Sequence, residues 1–277
     1  MNEFEAKKRA IFLKNNYMRE YKDYFIENKQ KDIFTIEAPD YIKNDPNDPN
    51  SLNSYYRRLS WNQTSNQLEF CQLLYSAGES KEIVISETCQ MLQRFHRHFD
   101  IDFPKRKLYL SSPDSYAYIL WLLGLAVLVN DQETLMRIPQ WLGGSDENDS
   151  LPYVDPPMKA LLDFLGYQGA LAVADKPFFP KACYRYFPEL VQSKIDSECE
   201  KLLIQYLKDW YKSNKNTYWY DRHKRNDGKF FFGYWSFEAG ALVLLLNIDI
   251  ERSGIAEKPF FPADYVCWAR EIRAKDS

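Results

Sequence analysis

Four residues late in the chain carry side chains suited to acid–base work: Asp221, His223, Glu238 and Asp249. Glu238 stands in the string Gly233-Tyr234-Trp235-Ser236-Phe237-Glu238-Ala239 and opens a run that stays apolar to Leu246. Apolar surroundings strip water from a carboxylate and raise its pKa, which is how a glutamate becomes a general acid or base. Two such acids straddling one bond would make a helical, glycosidase-like hydrolase. The competing reading makes Glu238 a buried structural carboxylate, paired with an arginine or with tyrosine hydroxyls, that fixes how helices meet. Acids at helix starts are common for electrostatic reasons alone, so the structural role is the one expected.

Other constellations suggest less chemistry. His96-Arg97-His98 invites a metal reading, but residues two apart on a helix point to different faces, and no third ligand lies at a helical spacing. The five cysteines (Cys71, Cys89, Cys183, Cys199 and Cys267) are scattered and odd in number, with no C-x-x-C pair. Buried free thiols in a reducing cytosol are expected. Asn62-Gln63-Thr64 matches a glycosylation sequon that has no meaning there. Neither a Gly-rich phosphate loop nor a nucleophile elbow is present, so no metal and no cofactor is expected. Tyr218-Trp219-Tyr220-Asp221-Arg222-His223-Lys224-Arg225 interleaves aromatics with bases, a composition that can stack and grip single-stranded nucleic acid. The net charge of −3 opposes that use, and the alternative tucks Trp219 and Tyr220 onto the core.

These residues must be positioned by helices. The apolar run from Phe237 leaves no polar face, so a helix near 236–249 is expected to be enclosed on every side. Ser236 is its natural N-cap, and the run falls short of the roughly 20 residues needed to cross a bilayer. Ala10, Leu13, Tyr17, Tyr21 and Tyr24 form one helical stripe, and Cys199, Leu202, Leu203, Tyr206, Leu207 and Trp210 another. Ser51 is expected to cap a helix that ends at Gly78, and Ser112-Pro113 to open a nearly all-apolar one to Val129. Residues 37–50 and 143–157 read as loops, and Asp155-Pro156 as a helix start. Lys176-Pro177-Phe178-Phe179-Pro180 recurs as Lys258-Pro259-Phe260-Phe261-Pro262, which suggests a helix–turn–helix pseudo-repeat in the C-terminal half. Ten glycines, 45% hydrophobic residues and 16% aromatics in 277 residues argue for an all-α, multi-helix bundle. A boundary near 111 divides an N-terminal helical region (1–111) from a C-terminal one (112–277), expected to pack as one body. The N-terminus shows no signal-peptide apolar core, so the chain is expected in the cytoplasm.

Five strings carry a resemblance: Tyr75-Ser76-Ala77-Gly78-Glu79, Trp210-Tyr211, Trp219 to His223, the Gly233–Ala239 string, and Phe260-Phe261-Pro262-Ala263-Asp264-Tyr265. Together they resemble the PoNi-type immunity proteins over most of the chain. Two departures are Asn247-Ile248-Asp249-Ile250, with one acid where the family often has two, and Phe260-Phe261 for a usual Tyr pair. The resemblance implies two adjoining helical regions and a non-catalytic role. Such proteins bind the DNase domain of a polymorphic toxin delivered between bacteria and so protect the producer and its kin. A DNase presents a basic cleft, and an inhibitor gains by offering acids and aromatic anchors. The implied partner is therefore that protein domain, with no direct nucleic-acid or membrane contact. The expected partner-binding residues are Asp146, Glu147, Asp149 and Asp155 in one acidic loop, Asp40, Asp45 and Asp48 in another, and Trp219, Tyr220 and Asp221 as anchors. Tyr234, Trp235, Ser236, Phe237, Glu238, Asp249 and Asp264 are expected to support the fold.

Overall fold

The computed structural model describes residues 3–29, 35–43, 50–146, 149–193 and 195–276; Asp45, Asp48 and Glu147 lie outside them. The chain forms two units, one of residues 1–106 with 222–233, the other of residues 107–221 with 234–277. The chain thus leaves the second unit at Asp221, contributes twelve residues to the first, and returns at Tyr234. Helices dominate both units, as the composition required.

The first unit contains α1 (Glu3–Lys7), α2 (Asn15–Lys29), α3 (Asp40–Lys43), α4 (Ser51–Ala77) and α5 (Lys81–His96). The second half of α4 is buried almost continuously and forms the axis of this unit. Gly78 ends α4 at φ +82°, the left-handed conformation that glycine adopts most easily. Ser51 is the first residue of α4 rather than its cap, and its hydroxyl donates to Ile42 O at 2.6 Å. The stripe expected from Ala10 to Tyr24 is broken. Ala10 and Leu13 are buried in the turn ahead of α2, and within α2 the inward pair is Tyr21 and Phe25. Phe25 stacks on Phe70 of α4 at 4.1 Å. Tyr24 is turned by about 100° from Phe25 and left 52% exposed. Beyond α5 a π-helical turn, Arg97–Asp102, buries His98. Its Nδ1 lies 2.8 Å from Ser60 Oγ, with the rings of Trp61, Phe99 and Phe103 around it. Burial, then Arg106 and Arg57, push its pKa down to about 4. His96 instead pairs with Asp100 at 3.0 Å, so the two histidines part as their spacing required.

The second unit contains α6 (Pro113–Leu128), α7 (Gln132–Arg137), β1 (Tyr153–Val154), α8 (Pro156–Phe164) and β2 (Ala172–Val173), then α9 (Phe187–Gln192), α10 (Asp196–Ser213), α11 (Phe237–Leu245) and α12 (Ala263–Asp276). α6 and α11 are the two helices without a polar face, and they pack on each other. A Cβ on Gly124 of α6 would stand 2.5 Å from Phe237 C and Glu238 N, so the two backbones nearly touch there. On the other flank of α11, a Cβ on Gly240 would meet Pro262 at 2.9 Å and Val266 at 3.3 Å. The enclosed helix is shorter than 236–249. Asn247 takes φ +52° just beyond it, and the N–H of Ile248 turns back to Val243 O at 3.0 Å, a closure that Asn tolerates better than most residues. β1 and β2 pair in parallel, Tyr153 with Ala172 and Val154 with Val173. The two copies of the Pro-Phe-Phe-Pro echo therefore sit in different settings. The first follows β2 and leads to the 3₁₀ turn Cys183–Tyr186, whereas the second follows α11 and leads into α12. Ala172-Val173 is too short a run, between Gly169 and Pro177, to build the helix that a pseudo-repeat needs. Cys71, Cys183 and Cys199 are buried free thiols, but Cys89 and Cys267 are exposed. Among the described residues no helix is long and apolar enough to cross a membrane.

Candidate functional site

Glu238, in the first turn of α11, is 2% exposed. Its Oε1 accepts from three donors: Tyr206 OH at 2.7 Å, Trp210 Nε1 at 2.6 Å and Ser236 Oγ at 2.7 Å. Ser236 thus turns its hydroxyl to the carboxylate and makes no capping bond, contrary to its expected role. Tyr206 and Trp210 lie four apart on the inward stripe of α10, which is why one helix can present both. The other oxygen, Oε2, has no hydrogen-bond partner, and Glu238 helps to line a cavity of about 10 Å³ with Leu123, Gly124, Leu161, Leu165, Ala241 and Leu242. That volume is at the lower bound for one water and leaves no space for a substrate. Burial raises the Glu238 pKa, while its three side-chain donors pull it down.

An acid–base pair would need a second carboxylate, and none lines that cavity. Asp249 lies past the far end of α11, a helix about 13 Å long. It is exposed and accepts from the N–H groups of Glu251 and Arg252 at 3.1 and 3.0 Å. Paired glycosidase carboxylates stand roughly 5–10 Å apart around the sugar, and this arrangement offers no such opening. Glu238 is a joint between α10 and α11.

The residues around the joint are equally internal. Tyr234, Trp235 and Phe237 are buried, and the Trp121 indole donates to Trp235 O at 2.9 Å. Trp219 is fully buried among Trp121, Trp210 and Tyr234, with centroids 5.3, 5.4 and 5.6 Å away. It is a core residue and no surface anchor. Tyr220 stacks on Tyr211 at 4.5 Å, and Asp221, at φ +58°, accepts from Tyr211 OH at 2.7 Å. Both are half-buried and held from within. Asp264, exposed, sits in the first turn of α12, where its charge suits the helix dipole.

Of the two acidic loops, part remains on the surface. Asp155 is 1% exposed and caps α8, accepting from Met158 N at 3.1 Å, Tyr116 OH at 3.0 Å and Phe178 N at 3.0 Å. Those three bonds tie α6, α8 and the first Pro-Phe-Phe-Pro copy together, so Asp155 is withdrawn from any outer surface. Asp146 and Asp149 are exposed. Asp149 accepts from Ser145 Oγ and from Asp146 N, donors that hold its pKa below the usual aspartate value. Asp40 is exposed in the first turn of α3 and shares Lys43 with Glu37. Among the described residues, the fully exposed acids of the expected partner-binding set are Asp40, Asp146 and Asp149.

One cluster was not legible in the sequence. Glu69, on α4, is 5% exposed and accepts from Tyr21 OH at 2.7 Å and Arg222 Nη1 at 2.9 Å. It joins residues 48 and 153 positions away, which no local periodicity announces. This pair anchors the returning segment 222–233 within the first unit.

The comparisons with known proteins identify the family. Residues 9–139 match the family model described as PoNe immunity protein (PoNi), N-terminal, and residues 158–265 match PoNe immunity proteins (PoNi), C-terminal. No curated protein matches the chain. Among solved structures, the chain is similar to protein PA2201 from Pseudomonas aeruginosa. The match has a TM-score of 0.61 at 16% identity, over 95% of this chain and 88% of that one, a likeness of fold. The two family matches together span most of the sequence, and the chain belongs to the PoNe immunity protein (PoNi) family.

Proposed function

We infer that this protein protects a bacterium by binding a cognate antibacterial DNase toxin in the cytoplasm and covering the surface with which that toxin holds DNA. The observation that carries this reading is the match of both family halves over 9–139 and 158–265. The burial of Glu238 supports it. The acid on which the hydrolase reading rested is closed in by leucines and by its own donors. On this reading protection comes from the exterior, where Asp146, Asp149 and Asp40 are exposed acids that would complement a basic cleft.

Inhibition by occupancy is stoichiometric, and that property separates it from catalysis. In a bacterial host induced to make the toxin's nuclease domain, co-expression of this chain should restore survival. With purified proteins, DNA cleavage should fall linearly with added chain and end near one equivalent. Glu238→Gln should protect as well as the parent wherever it folds. Cell death despite co-expression would overturn the reading, and so would protection at a small fraction of an equivalent that vanishes in Glu238→Gln.

A further inference from the structure

The first unit carries a concavity of about 540 Å³ between α2, the middle of α4 and the returning segment 222–233. Its floor is fixed and electrically balanced, because both oxygens of Glu69 are engaged, one by Tyr21 and the other by Arg222. Its walls are the rings of Tyr17, Tyr24 and Phe230, the last two 52% and 42% exposed. At the rim Glu20 faces Lys229 across 3.8 Å, with both side chains about half exposed. A pair so long and so wet holds weakly. Phe230 adopts φ +66°, a region that bulky side chains rarely enter. Strain of this kind persists where the surroundings over-determine it, often at binding sites.

Two features decide what such a cleft would hold. The rings already draw cations, since Lys14 Nζ lies 5.7 Å from the Tyr17 centroid and Lys229 Nζ 5.4 Å from that of Phe230. Among the described residues, the bases of the lining are Arg222 and Lys229, and each faces an acid within 4.0 Å. A phosphate chain would therefore meet no surplus positive charge and would approach the carboxylate of Glu20. A guanidinium suits the site better. It is weakly hydrated, stacks flat on aromatic rings and pairs with a carboxylate at its edge at the same time, which an ammonium does poorly. A nuclease grips phosphates with lysines and arginines, and of the two it is the arginine that this cleft suits.

We propose that this cleft receives an arginine side chain projecting from the partner toxin, stacked on the aromatic wall and paired with Glu20 in place of Lys229. The proposal rests on the immunity reading above, and its test keeps the two apart. The toxin's purified nuclease domain is titrated against the parent protein, Tyr24→Ala, Glu20→Lys, and Lys208→Ala as an exposed control on α10. The cleft variants should weaken binding roughly tenfold or more, chiefly through faster dissociation, with unchanged melting, and the control should match the parent. An alanine scan of the toxin's surface arginines should then find one whose effect disappears in the Glu20→Gln background, as coupled residues require. A parent that binds while both cleft variants bind equally well would overturn the cleft alone, as would the absence of any coupled arginine. Failure of the parent to bind would instead overturn the immunity reading. A labelled single-stranded oligonucleotide serves as the last arm. Binding to the parent that is lost in Tyr24→Ala would replace the arginine with nucleic acid and overturn the proposal.

Discussion

Two buried titratable residues, one in each unit, give opposite pH signatures. His98 is held at about 4 in the folded chain against an ordinary value of 6.5, because its charged form would lose water and face Arg106 and Arg57. Below pH 6.5 the unfolded chain takes up a proton that the folded chain refuses. The contribution of His98 is thus complete above 6.5 and is lost as pH falls towards 4, by about 3 kcal/mol in all. Glu238 works the other way. Its folded pKa is raised above 4.5 by burial. Its contribution is complete below 4.5 and is lost as pH rises through the folded value, each tenfold change in proton affinity being worth about 1.4 kcal/mol. Urea unfolding from pH 3.5 to 8 should show both. His98→Asn should flatten the fall between 6.5 and 4. Glu238→Gln keeps an oxygen for Tyr206, Trp210 and Ser236, and its stability relative to the parent should climb as pH rises above 4.5. Curves parallel to the parent in either variant would show that the group is not desolvated as the structure has it. Glu238→Ala leaves three buried donors unmatched and should cost about 3–5 kcal/mol below pH 4.5, a deficit that shrinks as pH rises and the parent loses the contribution of Glu238.

The elements around Glu238 meet at a close approach of two backbones, and it can be tested. Gly124 has ordinary helical φ, so alanine there would normally stabilise an α-helix by roughly 1 kcal/mol. Here the added methyl would run into the backbone of Phe237 and Glu238 at 2.5 Å, and backbone cannot swing aside as a side-chain tip can. Gly124→Ala should therefore destabilise by about 1–3 kcal/mol, in the range of overpacked cores, whereas Gly166→Ala, with nothing within 4 Å of its Cβ, should report only the strain of φ +86°. A gain in melting temperature for Gly124→Ala would mean that α6 and α11 do not touch there. The helices themselves were legible because burial leaves a period in the sequence. The Tyr206–Trp210 stripe, the Gly78 stop and the unbroken apolar runs of α6 and α11 follow from local chemistry alone. What was not legible is non-local. Nothing near Ser236 says that its hydroxyl prefers Glu238 to the helix backbone, and nothing near Trp219 says that two tryptophans from α6 and α10 enclose it. The first-unit stripe is broken for a simpler reason: residues 11–14 turn the chain before α2 begins, so one helical spacing cannot run from Ala10 into α2. Tyr24 accordingly lines a cleft and not the core.

Charge is the property of the whole molecule that bears most on a partner, and it is unevenly divided. The first unit has 20 basic and 17 acidic side chains, net +3, whereas the second has 16 and 22, net −6. If the partner is the basic nuclease proposed above, the second unit, which carries Asp146 and Asp149, would attract it and the first would add nothing at long range. Steering acts over distances comparable to the Debye length, about 8 Å at physiological salt, and governs the rate of encounter. Stacking and pairing inside the cleft act only after contact and govern the rate of escape. The two surfaces thus predict separable kinetics. Reversing charge at Asp146, Glu147 and Asp149 together should slow association severalfold at low salt, and the deficit should shrink as salt rises to 0.5 M, with dissociation little changed. Tyr24→Ala should do the opposite, leaving association and its salt dependence intact while the complex falls apart faster. Association that is indifferent to salt in the parent would show that the negative unit does not guide the toxin. A triple reversal that alters only dissociation would place residues 146–149 in direct contact with the toxin rather than in the field that draws it in.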